Sequence, residues 1–453
     1  MLRRLSAFAL TWLLAGPSHA YDAAPLLESL RPAVRERAVT QAQLGAPNAL
    51  PFYDLTIDVE DDLRAFTLEQ VAWVHNDSTQ PWGSVVFRVF VNATRPDAMR
   101  LEALSCEGVR CEHEQPDPSA IVVRPASPVP PGGWLQVRLR LRGALQVVPA
   151  ERLTLMGQGL ESLGALSGGH GGGDYGLLAH GDGISSFASF VPVLARRRAG
   201  RWEQGDASTM GDLGTDALAH YQARVRVPDG TRVVATGVED PPRVIGDRSE
   251  VRVRLALGRD FAFAASPRFE QRARQVGDVA VRSWFLRGHE ASGVEALEAA
   301  AHSVGLFERR FGAYPYTELD VVEAPLIGGA GGVEFSSMVT VATMFYRPAG
   351  AGGPLAALMG GGQQLEGRRA AMLELVTAHE VAHQWWHGIV GSDSRRHPFQ
   401  DETLAQWSAL LYVRDRHGDA RAEQERDQQV VAGYHMMRLM GRPDGAVDRP
   451  VSA

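Results

Sequence analysis

Lysine is absent from the 453 residues, and all 46 basic side chains are arginine. A Walker-type phosphate loop, a Schiff-base mechanism and a lysine general base are thereby excluded. Cysteine is nearly absent too. Cys106 and Cys111 stand alone, and their spacing in "CEGVRC" is not that of a zinc knuckle. They either close a small loop in an oxidising compartment or remain two free thiols. No excess of positive charge exists: the net charge is −7 and the arginines are scattered, which gives no footing for a nucleic-acid partner. Long apolar runs are missing after the first residues, since no window of about eighteen uncharged apolar residues occurs. The start, "MLRRLSAFALTWLLAGPSHA", has Arg3 and Arg4, an apolar run from Leu5 to Leu14 and small residues up to Ala20. It reads as a signal peptide over residues 1–20, cleaved after Ala20, with the mature chain secreted or periplasmic and without a transmembrane segment.

The length allows more than one hydrophobic core. Residues 21–49 read as an N-terminal extension. From about residue 50 to 270 the apolar period is two: Leu55, Ile57 and Val59 alternate, as do Val137, Leu139 and Leu141, and again Val251, Val253, Leu255 and Leu257. Breaks such as "PASPVPPGG" separate these runs, and an antiparallel β domain with one wet face is expected. The glycine-rich stretch from Leu163 to Arg197 lacks the lysine of a phosphate loop and is expected to be a mobile surface loop, with His170 and His180 as loop residues. Beyond residue 270 the period becomes helical. Ser292 and Glu295 suggest a capping box, and Gly312 with Pro315 a stop. "ELDVVEAPL" reads as a strand, "GGPLAALMGGGQQLEG" as a loop, and His302 as a helix-surface residue.

"TAHEVAHQWWHG", Thr377 to Gly388, sets two histidines and a glutamate in an otherwise apolar run. At about 3.6 residues per turn, His379 and His383 project from one face of a helix and can share a metal. Glu380 lies beside them, close enough to reach a water there without ligating. A motif this short recurs by chance, and a lone histidine in an apolar helix is more often a hydrogen-bonded core residue. Zinc, moreover, needs a third protein ligand. A second helical pattern follows, with Leu404, Trp407, Leu410 and Leu411 at helical spacing, Asp401 as N-cap and Gly418 as stop. Glu402 falls in its first turn, with eighteen residues separating it from His383. Trp385, Trp386 and Trp407 read as packing residues.

H-E-x-x-H, eighteen residues and then glutamate in a D-E-x-x-A context resembles the gluzincin aminopeptidases, the family of aminopeptidase N and leukotriene hydrolase. The family's G-[AG]-M-E-[NY] motif has a counterpart in Gly331-Gly332-Val333-Glu334-Phe335. The resemblance implies an α+β multidomain chain: an N-terminal antiparallel β-sandwich or saddle domain over 50–270, then a thermolysin-like zincin domain over 271–453. It implies one Zn2+ on His379, His383 and Glu402, with Glu380 as general base. The substrates it implies are peptides with a free N-terminus, held by Glu334 and approached through Gly331 and Gly332, and Asp174 or Tyr175 in "DYGLL" could touch the substrate amine. The family's oxyanion-stabilising tyrosine falls beyond Ala453, so the expectation is a chain lacking the family's C-terminal part. Tyr434 is the nearest stand-in. Three readings follow: a secreted zinc aminopeptidase, a zinc- and peptide-binding homologue impaired or inactive in catalysis, or an endopeptidase.

Overall fold

The computed structural model describes residues 21–40, 49–166, 175–204, 214, 217–348, 362–446 and 448. The signal-peptide reading, His170 and Asp174 lie outside them. Alternation does build a sheet. β1 (Phe52–Val59), β2 (Ala65–His75), β3 (Met99–Cys106), β4 (Trp134–Ala144), β5 (Ala219–Pro228) and β6 (Arg248–Gly258) hydrogen-bond in the order β6-β5-β1-β2-β4-β3. In β1, Leu55, Ile57 and Val59 are buried, and in β4 so are Val137, Leu139 and Leu141, while their neighbours reach solvent. One face is therefore core and the other wet, as period two requires. The sheet is mixed, however, because β1 and β5 run parallel. The alternation fails at the end of β6: Leu255 and Ala256 are both buried and Leu257 turns to φ 55°, half exposed.

Smaller sheets pack on this one. Strands Gln146–Val147, Leu178–Gly181, Ile184–Phe187, Phe263–Ser266 and Arg232–Ala235 form one of them. The glycine-rich stretch is thus not wholly loop. Its front belongs to α1 (Leu155–Leu166), and its later part enters the strands Leu178–Gly181 and Ile184–Phe187, where His180 Nδ1 meets Ser185 Oγ at 2.8 Å. Burial of strand partners overrides glycine's weak preference there. Cys106 and Cys111 are disulfide-bonded, with Cα atoms 5.8 Å apart, across the turn between two successive strands that belong to different sheets.

A five-stranded sheet opens the second half. β7 (Phe269–Val276), β8 (Val279–Leu286), β9 (Glu318–Ala324), β10 (Gly332–Phe335) and β11 (Met338–Ala342) run in the order β7-β8-β9-β11-β10, so β10 is an edge. Between β8 and β9 lies α2 (Glu290–Phe311), closed by Gly312 at φ 108°. Its start is not a capping box. His289 is the N-cap, Ser292 Oγ donates to the Tyr346 carbonyl at 3.1 Å, and Glu295 pairs with Arg369 at 2.9 Å, both being drawn into tertiary contacts. α3 (Gly362–Ala382) starts inside the "GGGQQLEG" segment expected to be loop. It packs against α2, and α4 (Leu404–His417) packs against α3. α5 (Ala432–Leu439) follows with its large apolar side chains exposed. No helix among the described residues is long and apolar enough to cross a membrane. The extension packs against the second half: Arg31 pairs with Asp278 and Glu308, and Leu30 bridges to Tyr316.

Candidate active site

A cleft of about 410 Å³ runs between edge strand β10 and helix α3. Gly331, Gly332, Glu334, Glu380 and the two histidines of the zinc motif are among its walls. Gly332 has a steric reason to be glycine: a Cβ there would lie 2.5 Å from Glu380 Cγ, Cδ and Oε1. The strand therefore lies directly over the carboxylate, which is buried at 5 % exposure. Gln384, buried and unremarked in the sequence, ties the two elements. Its amide donates to the Phe335 carbonyl at 2.9 Å and accepts from Ser337 N–H at 3.0 Å. Trp385 and Trp386 pack as expected: Trp385 Nε1 donates to the Gly312 carbonyl at the end of α2 and Trp386 Nε1 to Ser408 Oγ of α4, each at 2.9 Å, which ties the segment after α3 to both helices. Trp407 is half exposed beside Phe311.

His379 Nε2 and His383 Nε2 face each other at 3.1 Å. Glu402 Oε2 lies 3.3 Å from the first and 4.0 Å from the second. Ligands about 2.0–2.1 Å from a tetrahedral ion are separated by about 3.3 Å, so this donor set fits zinc. Tautomer chemistry agrees. His383 Nδ1 donates to Asp401 Oδ1 at 2.7 Å, which leaves Nε2 with its lone pair toward the cleft. Asp401 is therefore not an N-cap; Thr403 holds that position, without a side-chain cap, and Asp401 orients the His383 imidazole instead. Burial alone would lower the His383 pKa, but the Glu334, Asp401 and Glu380 carboxylates outweigh it and hold it well above the usual range. Burial likewise opposes ionisation of Glu402, yet the imidazoles keep its pKa low. The cleft favours a cation.

The chain leaves helical dihedrals at Trp386 and His387. His387 is thereby turned toward Glu334 Oε1 at 3.9 Å and Asp401 Oδ2 at 3.4 Å. The sequence reading passed over it, although His379, His383 and His387 repeat at four-residue spacing. The loop from Val390 to Pro398 is docked on the β half: Asp393 pairs with Arg196 at 2.5 Å and Arg396 with Glu203 at 2.7 Å. Tyr175 lines the cleft. Tyr434 is not brought to it: on α5 it is 52 % exposed and its hydroxyl donates to Asp444 at 3.2 Å.

The fold has counterparts, and part of the sequence has relatives. The chain is 29 % identical over 132 residues to aminopeptidase M1-A of Oryza sativa subsp. japonica and 30 % over 134 residues to aminopeptidase M1-B of the same plant. Over that stretch the chain is similar to aminopeptidases of the M1 kind. Each match covers 29 % of this chain and 14 % of the relative's own length, so it spans about a seventh of those curated relatives. No family model matches. The M1 zinc metallopeptidase of Deinococcus radiodurans shares the fold, with a TM-score of 0.54 at 16 % identity over 87 % of this chain and 75 % of that one. A mutant of that enzyme bound to a Tyr-Ser-Ala substrate superposes with a TM-score of 0.56 at 15 % identity, covering 86 % and 75 % of the two chains. The expected α+β multidomain architecture stands.

Proposed function

We propose that this protein is a gluzincin of the aminopeptidase N kind, an exported zinc aminopeptidase that removes the N-terminal residue of peptides. The observation that carries the reading is the convergence of His379, His383 and Glu402 on one point beside Glu380, with Glu334 on the neighbouring edge strand. Zinc held by those three residues would supply Lewis acidity, polarising a carbonyl and acidifying water. Glu380 takes the proton of the attacking water and returns it to the leaving amine. Edge strand β10 pairs with the extended peptide backbone, and Gly331 and Gly332 let that backbone approach. Glu334 holds the free α-ammonium, which limits cleavage to the first bond. Export with cleavage after Ala20 is supported by the apolar start and by the disulfide, which suits an oxidising compartment.

The purified chain with amino-acyl amides tests this. Turnover should vanish with a chelator and fall by about 10²–10⁴-fold in Glu380→Gln. Glu334→Ala should lose activity on free-amine substrates if the protein is an exopeptidase, whereas an endopeptidase would be indifferent to the change. Tyr434, which donates to Asp444 outside the cleft, is not the oxyanion donor, and a peptide-binding homologue with weak or no catalysis is the alternative outcome of the same assay. Zinc-loaded chain that binds peptide without turnover would establish that reading.

A further inference from the structure

Beside the proposed zinc site lies a second gathering of donors that the mechanism leaves partly unused. Glu334, His387 and Asp401 each offer one ligand atom, all within 4.8 Å of one another. The Asp401 carboxylate is fully buried; Oδ1 is engaged by His383, whereas Oδ2 accepts no aligned hydrogen bond and faces His387 Nδ1 at 3.4 Å. Its partner is the His387 imidazole at this long approach, and a cation set between the two would serve both more closely. The Nδ1 to Glu334 Oε1 separation is 3.9 Å. Both separations are long for charge-assisted hydrogen bonds, which fall near 2.7–2.9 Å (~), and close to the edges of a coordination polyhedron. Charge points the same way. Glu334, Glu380, Asp401 and Glu402 bring four carboxylates to one cleft, and a single divalent ion leaves half of that charge uncompensated.

We propose that Glu334, His387 and Asp401 form a second divalent-cation site, and that its occupation withholds Glu334 from the substrate's ammonium. An imidazole among the donors selects a first-row transition ion such as Zn2+ over Ca2+ or Mg2+. Asp401 is then shared, one oxygen orienting His383 and the other ligating the second ion, so the two sites are adjacent but use different ligand atoms. The consequence is metal-dependent inhibition, competitive with free-amine substrates, which rests on the aminopeptidase reading. The site itself does not.

Chelator-treated full chain titrated with Zn2+, followed by calorimetry and elemental analysis, tests the proposal without reference to activity. The expected result is two equivalents, the second weaker. His387→Ala and His387→Gln, each checked for an unchanged melting curve, should weaken the second equivalent by about tenfold or more and retain the first. His379→Ala should lose the first and retain the second, and Ca2+ should not replace Zn2+ in the second. One equivalent in the parent chain, untouched by His387→Ala, overturns the second site and leaves the zinc peptidase reading standing. Two equivalents that both survive His387→Ala and His387→Gln also overturn it. No bound zinc overturns both.

Discussion

Asp320 and Asp401 are both fully buried, in the same half of the molecule, and meet opposite surroundings. Asp320 accepts from Arg282 Nε at 2.7 Å and Nη2 at 2.5 Å and from Trp284 Nε1 at 2.7 Å. Glu318 and Glu239 share the same guanidinium at 2.9 and 3.9 Å. The carboxylates around it overcome the cost of burial and hold Arg282 above its ordinary range. Asp401 has imidazoles instead, and the other formal charges near it are carboxylates. Arginine is a permanent cation with a fixed fork, so the first cluster is electrically closed by the chain itself. Histidine can be a cation or a neutral ligand, so the second can be closed by imidazolium or by a metal that the imidazoles ligate. Acidic groups gathered around arginine make structure, and acidic groups gathered around histidine make a place for a cation.

That contrast can be broken by removing the built-in cation. Arg282→Met leaves three buried or nearly buried carboxylates without their partner and should cost about 3–5 kcal/mol, read from the urea midpoint of the full chain. A midpoint within experimental error of the parent would show that the cluster is not held by its guanidinium. Smaller is the effect expected at the other aspartate. Asp401→Asn keeps the shape but weakens the orienting bond to His383, and zinc affinity measured against a chelating dye should drop about 10–100-fold. If affinity holds, His383 is oriented by packing alone.

Smallest is the pH response that sharpens the comparison. Burial, then the neighbouring Asp320, pushes Glu239 up to about 8 and Glu318 up to about 7 from an ordinary 4.5. The folded chain therefore binds protons that the unfolded chain has released. Their contribution to stability is complete below the unfolded value and is lost as pH rises through the folded ones. Melting temperatures between about pH 5 and about pH 9 should fall through this window, and Glu239→Gln should flatten the slope. An equally steep slope in that variant would place the pH sensitivity elsewhere.

Much of the site was legible because its parts are local. The four-residue step from His379 to His383, the Glu380 between them and the glycines before Glu334 are contiguous patterns, each with its own geometry. The β half was legible through alternation in β1, β4 and most of β6. What escaped was relational. Asp401 looked like a cap because aspartate before an apolar helix commonly caps, and its bond to His383 crosses eighteen positions. Ser292 and Glu295 formed a plausible capping box until Tyr346 and Arg369 competed for them. Glycines near residue 360 spoke for loop, and the packing of α3 on α2 prevailed. His387 needed the break after Trp386 to be aimed at Glu334.

By itself the sequence determined which chemistry the chain can carry: no lysine chemistry, two histidines on one helical face, a nearby acid, and strands with one wet face. These follow from composition and from the fixed repeat of helix and strand, which neighbours in the chain alone decide. The tertiary structure decided which distant groups meet. It brought Glu402 to the histidines, laid Gly332 over Glu380, joined Asp401 to His383 and kept Tyr434 out of the cleft, because those distances are set by packing between elements and not by any local period.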